Sequence, residues 1–392
     1  MTSLNTSPRT FLFVDRIHAH SIWDLMRHVA EELCRRGDQV HFCRWDDGKN
    51  LPVPDVPPGV RVHDVFVGPK RRPTDIFAQW RRFLPQFRDL VRQLRPDVVH
   101  TNFTVPGALA RRVAKRNGVP TVVTTQHELY GSMSPHLRLL TRATERYADR
   151  VIYISETVAR SFGRPAVMWD GDGRPPRHVV IPNGIDAEAF SQARGAESER
   201  VPGRILATGR LVPVKGYDVL LRALPRVVAQ SPQAHLRLTG SGPDEPRLRD
   251  LAKQLNISDR VEFLGWVDRP GVLKELRHAA LVAIPSDGTQ EGFGLVAAEA
   301  MAAGVPIVAS RIPVFEEVLG ADGDCARLFA RGDSHSLAEA ICETLADPAG
   351  AAARRDRGSD RVRERFSAGG MVAGYLGLYG AALETKQLEG VR

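Results

Sequence analysis

Short apolar runs separated by amphipathic stretches recur along nearly the whole chain. Residues 10–14 form the first such run, a helical periodicity follows over 23–36, Gly37 closes it, and 39–44 reads as a second strand. The pattern predicts further strands over 60–67, 98–100, 121–125 and 151–154. Helices are predicted over 75–94, after Pro106 and before Tyr147. Strands alternating with helices in this way predict a parallel, doubly wound sheet, because parallel neighbours have to be joined by a crossover.

After an apolar run at 179–181 comes Pro182-Asn-Gly-Ile-Asp186, and then a polar stretch at 191–200 without apolar periodicity. A second series of strands follows at 204–207, 236–239, 261–263, 281–284 and 307–309, with helical patterns between them. The 392 residues exceed what one hydrophobic core usually supports. The expected organisation is therefore a Rossmann-like domain over 1–190, a linker over 191–203 and a second Rossmann-like domain over 204–368. A C-terminal helical segment, 369–392, is expected to pack back on the first domain. A cleft between two such domains is the expected ligand site.

Composition adds little about fold and something about partners. Hydrophobic residues make up 43% and charged residues 26%, which is an ordinary globular balance. A formal net charge of +8 favours anionic partners such as a phosphorylated ligand, an acidic membrane surface or nucleic acid. Cys34, Cys43, Cys325 and Cys342 form no CxxC pair or metal-ligand spacing, which suits free thiols in a reducing compartment. The first apolar stretch is too short for a signal peptide and no run approaches a membrane span, so a cytoplasmic protein is expected.

Two segments carry candidate chemistry. Glu291-Gly-Phe-Gly-Leu-Val-Ala-Ala-Glu299 follows the apolar run at 281–284 and leads into a helical pattern ending at Gly304. Its glycines let backbone approach a ligand, and the start of a helix offers unpaired N–H groups to phosphate. The two carboxylates can accept hydrogen bonds from hydroxyls at different places on one ligand; alone, each also reads as an ordinary surface acid. The other segment, Thr208-Gly-Arg-Leu-Val-Pro-Val-Lys-Gly216, places Arg210 and Lys215 in a loop before a helix. Both cations would stabilise negative charge developing on a departing diphosphate, although the spacing is not that of a P-loop.

Together with Pro96-Asp-Val-Val-His100, Gly118-Val-Pro-Thr-Val-Val-Thr-Thr-Gln-His127, Ala148-Asp-Arg-Val-Ile-Tyr-Ile-Ser-Glu156, Gly240-Ser-Gly-Pro243 and Val261-Glu-Phe-Leu-Gly265, these segments resemble the retaining family 4 glycosyltransferases of the GT-B fold. The resemblance implies an acceptor-binding first domain and a nucleotide-sugar-binding second domain, with a hexose or amino-hexose moved from a nucleotide-diphosphate sugar. It implies that Arg210 and Lys215 contact the donor diphosphate, Glu291 holds sugar hydroxyls and Glu299 binds the ribose. Gly209, Gly240, Gly242, Leu264, Gly292, Phe293, Gly294 and Leu295 would border the donor. His127 resembles the family histidine facing the donor sugar, with Glu128 nearby. Attack by an acceptor hydroxyl on the face the diphosphate leaves would need no enzyme nucleophile, no required cofactor and no metal; a UDP-sugar is the expected donor.

Where family members commonly carry a Gly-rich loop after the first strand, this chain reads Asp15-Arg-Ile-His-Ala-His-Ser21, so His18, His20 and Ser21 are candidates for shaping the acceptor site. The loop 286–290 is a further candidate for donor hydroxyls. A small polar acceptor, such as an aminocyclitol or pseudosugar in antibiotic biosynthesis, is the expected acceptor. The alternative is a lipid or glycan at a membrane surface, supported by Lys70-Arg-Arg72 and the aromatic helical stretch after it, whose apolar stripe more often simply packs on its domain. A nucleic-acid-binding protein would explain the charge, but no recognised module is present. The strings at 170–172 and 322–324, each Asp-Gly-Asp, read as turns rather than metal ligands.

Overall fold

A computed structural model describes residues 7–15, 21–48, 56–69, 72, 74–102, 104–169, 173–192, 194–195 and 199–390, the side chains of 21, 22 and 386–390 excepted. The chain divides into two compact units, one formed by 1–182 with 368–392 and the other by 183–367.

The first unit opens with β1 (Thr10–Asp15), α1 (Ser21–Arg35), β2 (Gln39–Asp46), β3 (Val60–Phe66) and α2 (Asp75–Leu94). It continues through β4 (Val98–Asn102), α3 (Val105–Arg116), β5 (Thr121–Gln126) and α4 (Pro135–Glu145). Then come β6 (Arg150–Tyr153), α5 (Glu156–Ser161), β7 (Val167–Met168) and β8 (His178–Val180). Among the described residues the strands form one parallel sheet in the order β3-β2-β1-β4-β5-β6-β8-β7. Phe11, Leu12, Phe13 and Val14 of β1 are all buried, as a central strand covered on both faces requires. The stripe of α2 packs inward: Phe83 and Phe87 stack at 5.3 Å and Trp45 meets Phe83 at 5.0 Å, while Phe77 stays exposed. Of Lys70, Arg71 and Arg72, only Arg72 lies within the described residues.

The second unit begins with α6 (Ala187–Ser191), β9 (Arg204–Thr208), α7 (Tyr217–Gln230), β10 (His235–Thr239), α8 (Glu245–Gln254), β11 (Val261–Gly265) and α9 (Arg269–His278). It closes with β12 (Leu281–Ile284), α10 (Leu295–Ala302), β13 (Ile307–Ser310), α11 (Pro313–Leu319), β14 (Arg327–Phe329), α12 (Ser334–Ala346) and α13 (Pro348–Arg365). Its six described strands are ordered β11-β10-β9-β12-β13-β14, again all parallel. Polar caps set the helix starts: Asp268 accepts from Gly271 N and Asp347 from Gly350 N, each at 2.9 Å.

The division between units falls earlier than the expected boundary after residue 190. Ile185 N donates to Phe366 O at 2.8 Å, Ile185 bridges to Ser367, and Phe190 of α6 is buried. The chain is thus hydrogen-bonded into the second unit before the polar stretch begins, and the change of unit falls ahead of that stretch.

The last helix, α14 (Ala368–Gly390), belongs to the first unit. Tyr375 and Tyr379 are buried there, and the Tyr379 hydroxyl lies 2.5 Å from His100 Nδ1. His100 Nε2 meets Thr125 Oγ1 at 2.9 Å, and Thr125 meets the Tyr375 hydroxyl at 3.2 Å. Burial, helped by the nearby His127, lowers the His100 pKa to about 3, so the imidazole is neutral in the fold.

An unfolded histidine titrates near 6.5. Between that value and about 3 the unfolded chain binds a proton at His100 that the fold excludes, so this contribution to stability is complete above pH 6.5 and declines as pH falls. Unfolding midpoints measured from pH 7.5 to 4 should drop with acidification, and His100→Gln should flatten the slope. An unchanged slope would show that other groups set the acid sensitivity.

Candidate functional site

In the second sheet β9 is flanked by β10 on one side and β12 on the other, so consecutive crossovers leave in opposite directions at the β9–β12 boundary. The carboxyl ends of strands at such a reversal bound a natural crevice. The segment with Arg210 and Lys215 follows β9, and the one with Glu291 follows β12. Backbone bonds knit the strand-end loops together: Gly209 N to Thr239 O (3.1 Å), Leu211 N to Ser241 O (2.9 Å), Gly240 N to Gly265 O (2.7 Å) and Asp287 N to Val214 O (2.9 Å). Gly240 has φ +121°, and a Cβ there would stand 1.9 Å from the Gly209 carbonyl oxygen, so no side chain fits.

The central polar contact was not legible from either motif. Lys215 Nζ donates to Glu291 Oε2 at 2.7 Å across 76 residues of sequence, and Ser286 Oγ donates to the same oxygen at 3.1 Å. The side chains are 23% and 13% exposed, screened but open to a ligand. Arg210 is exposed beside them in sequence, and Tyr217, buried at the start of α7, has its phenol pushed well above the ordinary range by desolvation and by Glu291. Within the loop 286–290, Asp287 Oδ1 accepts from both the amide (2.8 Å) and the hydroxyl (2.7 Å) of Thr289, so the segment is closed on itself.

Gly294 begins α10 in the left-handed region, φ +83°, where a Cβ would press to 2.6 Å from the Phe315 ring. Gly294 gives the α10 start no side-chain cap, and although Ala297 N turns back to the Gly294 carbonyl at 2.9 Å, the first amides of a helix point outward toward a ligand or solvent. Gly292 is buried, Leu295 opens the helix, and the Phe293 ring is buried edge-on against Phe366 at 5.4 Å, so Phe293 can offer a ligand only its backbone. Glu299 is half-buried one turn further along α10, Leu264 is half-buried on β11, and Gly242 lies in the turn after β10.

The first sheet reverses direction between β1 and β4, and its strand ends carry a second cluster. Asn102 Nδ2 donates to Asp15 Oδ2 at 2.8 Å, and Asn102 Oδ1 lies 3.0 Å from His127 Nε2. All three residues are buried. The carboxylate can only accept, which fixes the amide orientation, and Oδ1 in turn makes Nε2 the protonated nitrogen of His127. Burial lowers the His127 pKa to about 3, so the ring is a neutral hydrogen-bonding group at physiological pH. Asp15 and Asn102 were not singled out from the sequence as candidates; the available signal was their position at the ends of β1 and β4. Glu128 is half-buried after β5, and Ser21 opens α1. His18 and His20 lie outside the described residues, as does the string at 170–172. The string at 322–324 lies in the turn after α11, and among the described residues no group of three or more His, Cys, Asp or Glu is placed to hold a metal.

Two parallel α/β units with polar loops at their strand reversals fit the architecture of the GT-B glycosyltransferases, and similarity to known proteins gives the class. Residues 202–347 match the family described as "Glycosyl transferases group 1", and residues 22–184 match "Glycosyl transferase 4-like domain". A Corynebacterium glutamicum protein named GDP-mannose-dependent monoacylated alpha-(1-6)-phosphatidylinositol monomannoside mannosyltransferase is 32% identical over 71% of this chain and 75% of its own. A Stackebrandtia nassauensis D-inositol 3-phosphate glycosyltransferase is 29% identical over 98% of this chain and 92% of its own. The Anabaena protein HepE, solved with UDP and glucose, superposes with a TM-score of 0.71 at 21% identity, covering 93% of this chain and 97% of that one. The chain belongs to the group 1, family 4-like glycosyltransferases, and it is a nucleotide-sugar-dependent glycosyltransferase of the GT-B fold.

Lys215→Met and Glu291→Gln should each change thermal stability by less in the presence of the other, with a coupling on the order of 1 kcal/mol for a pair in direct contact. Strict additivity in a double-mutant cycle would show that the contact contributes nothing in solution.

Proposed function

We propose that the second unit binds a nucleoside-diphosphate hexose, with the Lys215–Glu291 pair beside the uncapped start of α10 as the observation that carries the reading. The helix start and Lys215 take the diphosphate, Arg210 adds a second cation, and Glu291 is turned by Lys215 and Ser286 to accept from sugar hydroxyls. Glu299 is assigned to the ribose, and Gly209, Gly240, Gly242, Leu264, Gly292, Phe293, Gly294 and Leu295 to the surrounding donor surface. During transfer the C1–oxygen bond to the diphosphate breaks as an acceptor hydroxyl bonds to C1, and the acceptor proton leaves with the developing negative charge on phosphate. Retention of configuration belongs to this reading. His127, kept neutral by burial and held in one tautomer by Asn102 and Asp15, is assigned to hydrogen bonding with a sugar hydroxyl, with Glu128 and the region of Ser21 on the acceptor side.

For the donor, GDP-mannose stands ahead of the UDP-sugar expected from sequence, because a relative matching most of the chain carries it in its name. For the acceptor, the relatives' names favour an inositol phosphate, free or in a phosphatidylinositol glycolipid, over the aminocyclitol of antibiotic biosynthesis. One feature of the first unit favours the lipid form. A groove of about 710 Å³ between α2, α3 and α4 has an apolar floor that includes Trp80, Leu84, Leu109 and Val113, with Arg88, Arg92, Arg112 and Arg116 also lining it. Apolar surface beside cations suits an anionic lipid surface. Among the described residues no helix is long and apolar enough to cross a membrane.

Labelled mannose from GDP-mannose and glucose from UDP-glucose should be offered with inositol 3-phosphate in solution and with phosphatidylinositol in vesicles. Transfer from GDP-mannose to the vesicle lipid is expected, with product NMR showing retained anomeric configuration. Lys215→Met should lower turnover roughly 100-fold, the usual scale for loss of one charge-stabilising donor. No transfer from either donor to either acceptor would reject this assignment.

A further inference from the structure

Trp266 stands apart from the chain's other tryptophans. Trp23, Trp45 and Trp169 are buried and Trp80 is half-buried, whereas Trp266 is 75% exposed. A tryptophan ordinarily buries something like 150–250 Å² of surface, and here most of that remains in water.

The position of this exposed ring within the sheet is informative. Trp266 directly follows Gly265, the last residue of β11, at the carboxyl end of an edge strand. The Gly265 carbonyl accepts from Gly240 N at 2.7 Å, which ties the Trp266 loop to the turn after β10, where Gly240 and Gly242 present no side chains. Two residues beyond Trp266, Asp268 caps α9. The indole therefore projects from a short loop pinned at both ends, so little ordering is left for a ligand to impose. Two strand steps separate β11 from β9, and at about 4.8 Å per step the Trp266 loop lies roughly 10 Å along the sheet edge from the loop of Arg210 and Lys215. A flat ring joined through a ribose to a diphosphate held near Lys215 would need a partner at about that offset.

We infer that Trp266 is the stacking platform for the nucleobase of the donor, an inference that rests on the second unit being the nucleoside-diphosphate site. The indole supplies a face to any base, and a purine covers more of it than a pyrimidine, so Trp266 contributes to both affinity and base preference.

The test is titration of the full chain, and of Trp266→Ala and Trp266→Phe, with GDP, UDP and inorganic pyrophosphate by calorimetry. Trp266→Ala should weaken GDP roughly 10-fold, within the range that loss of one base stack produces. It should weaken UDP less and leave pyrophosphate unchanged, and Trp266→Phe should recover most of the GDP affinity. Because the side chain is exposed, the unfolding midpoint should not move. Unchanged GDP affinity in Trp266→Ala, or an equal loss for GDP and pyrophosphate, overturns the inference while leaving the donor site standing. Failure of the unsubstituted chain to bind any of the three would remove the donor-site reading and the inference with it.

Discussion

The crossover requirement of parallel strands is the constraint on which the rest of this structure depends. Neighbouring parallel strands cannot be joined by a tight turn, so each connection runs over a face of the sheet, and a sheet covered on both faces must reverse its winding once. At that reversal two loops part in opposite directions and leave the carboxyl ends of the central strands uncovered. In the first unit this happens between β1 and β4, and in the second between β9 and β12. Asp15 and Asn102 end the first pair of strands, whereas Arg210, Lys215 and Glu291 follow the second. Polar groups gather in these places because the backbone there has no helix packed over it.

The two reversals handle charge in opposite ways. In the first unit Asp15, Asn102 and His127 are buried, and desolvation keeps the imidazole neutral, so its chemistry is hydrogen bonding with a fixed tautomer. In the second, Lys215 and Glu291 keep partial exposure and neutralise one another directly. A diphosphate arriving beside Lys215 would find the cation already placed, and Glu291, anchored also by Ser286, would be free to turn its remaining lone pairs to hydroxyls. A preset pair of this kind lowers the ordering that the charged ligand must impose.

Legibility in the sequence followed the range of the interactions. Strands such as β1 and β12 were visible because burial on both faces makes them nearly continuous apolar runs, and α2 was visible because its inward stripe repeats at helical spacing. Whereas Gly240 was named through the family resemblance, Gly294 could be marked as a site of backbone approach, since that property belongs to the residue itself. The Lys215–Glu291 contact and the Asp15–Asn102–His127 chain could not, because each joins separate strand ends whose adjacency exists only once strand order is known. The unit boundary was misplaced for a related reason: the polar composition of 191–200 is local, while the hydrogen bond from Ile185 to Phe366 that draws 183–190 into the second unit is not.

Long range also explains why the acceptor is harder to read than the donor. Donor recognition concerns groups shared by every nucleoside-diphosphate sugar, namely two phosphates, a ribose and ring hydroxyls, and backbone donors with a few charged side chains suffice for them. Acceptor recognition concerns one molecule, and in the proposed reading it is assigned to side chains such as Glu128 and those lining the α2–α3–α4 groove, the latter brought together by helix packing rather than by motif. The arginines of that groove come from α2 and α3, which are separated in sequence by β4. Net charge announced an anionic partner from composition alone, but only the packing of these helices gives that charge a place and pairs it with an apolar floor. A phosphate alone needs the cations; an anionic lipid uses the floor as well, and it is the combination that favours an acceptor with both a charged head and an apolar body.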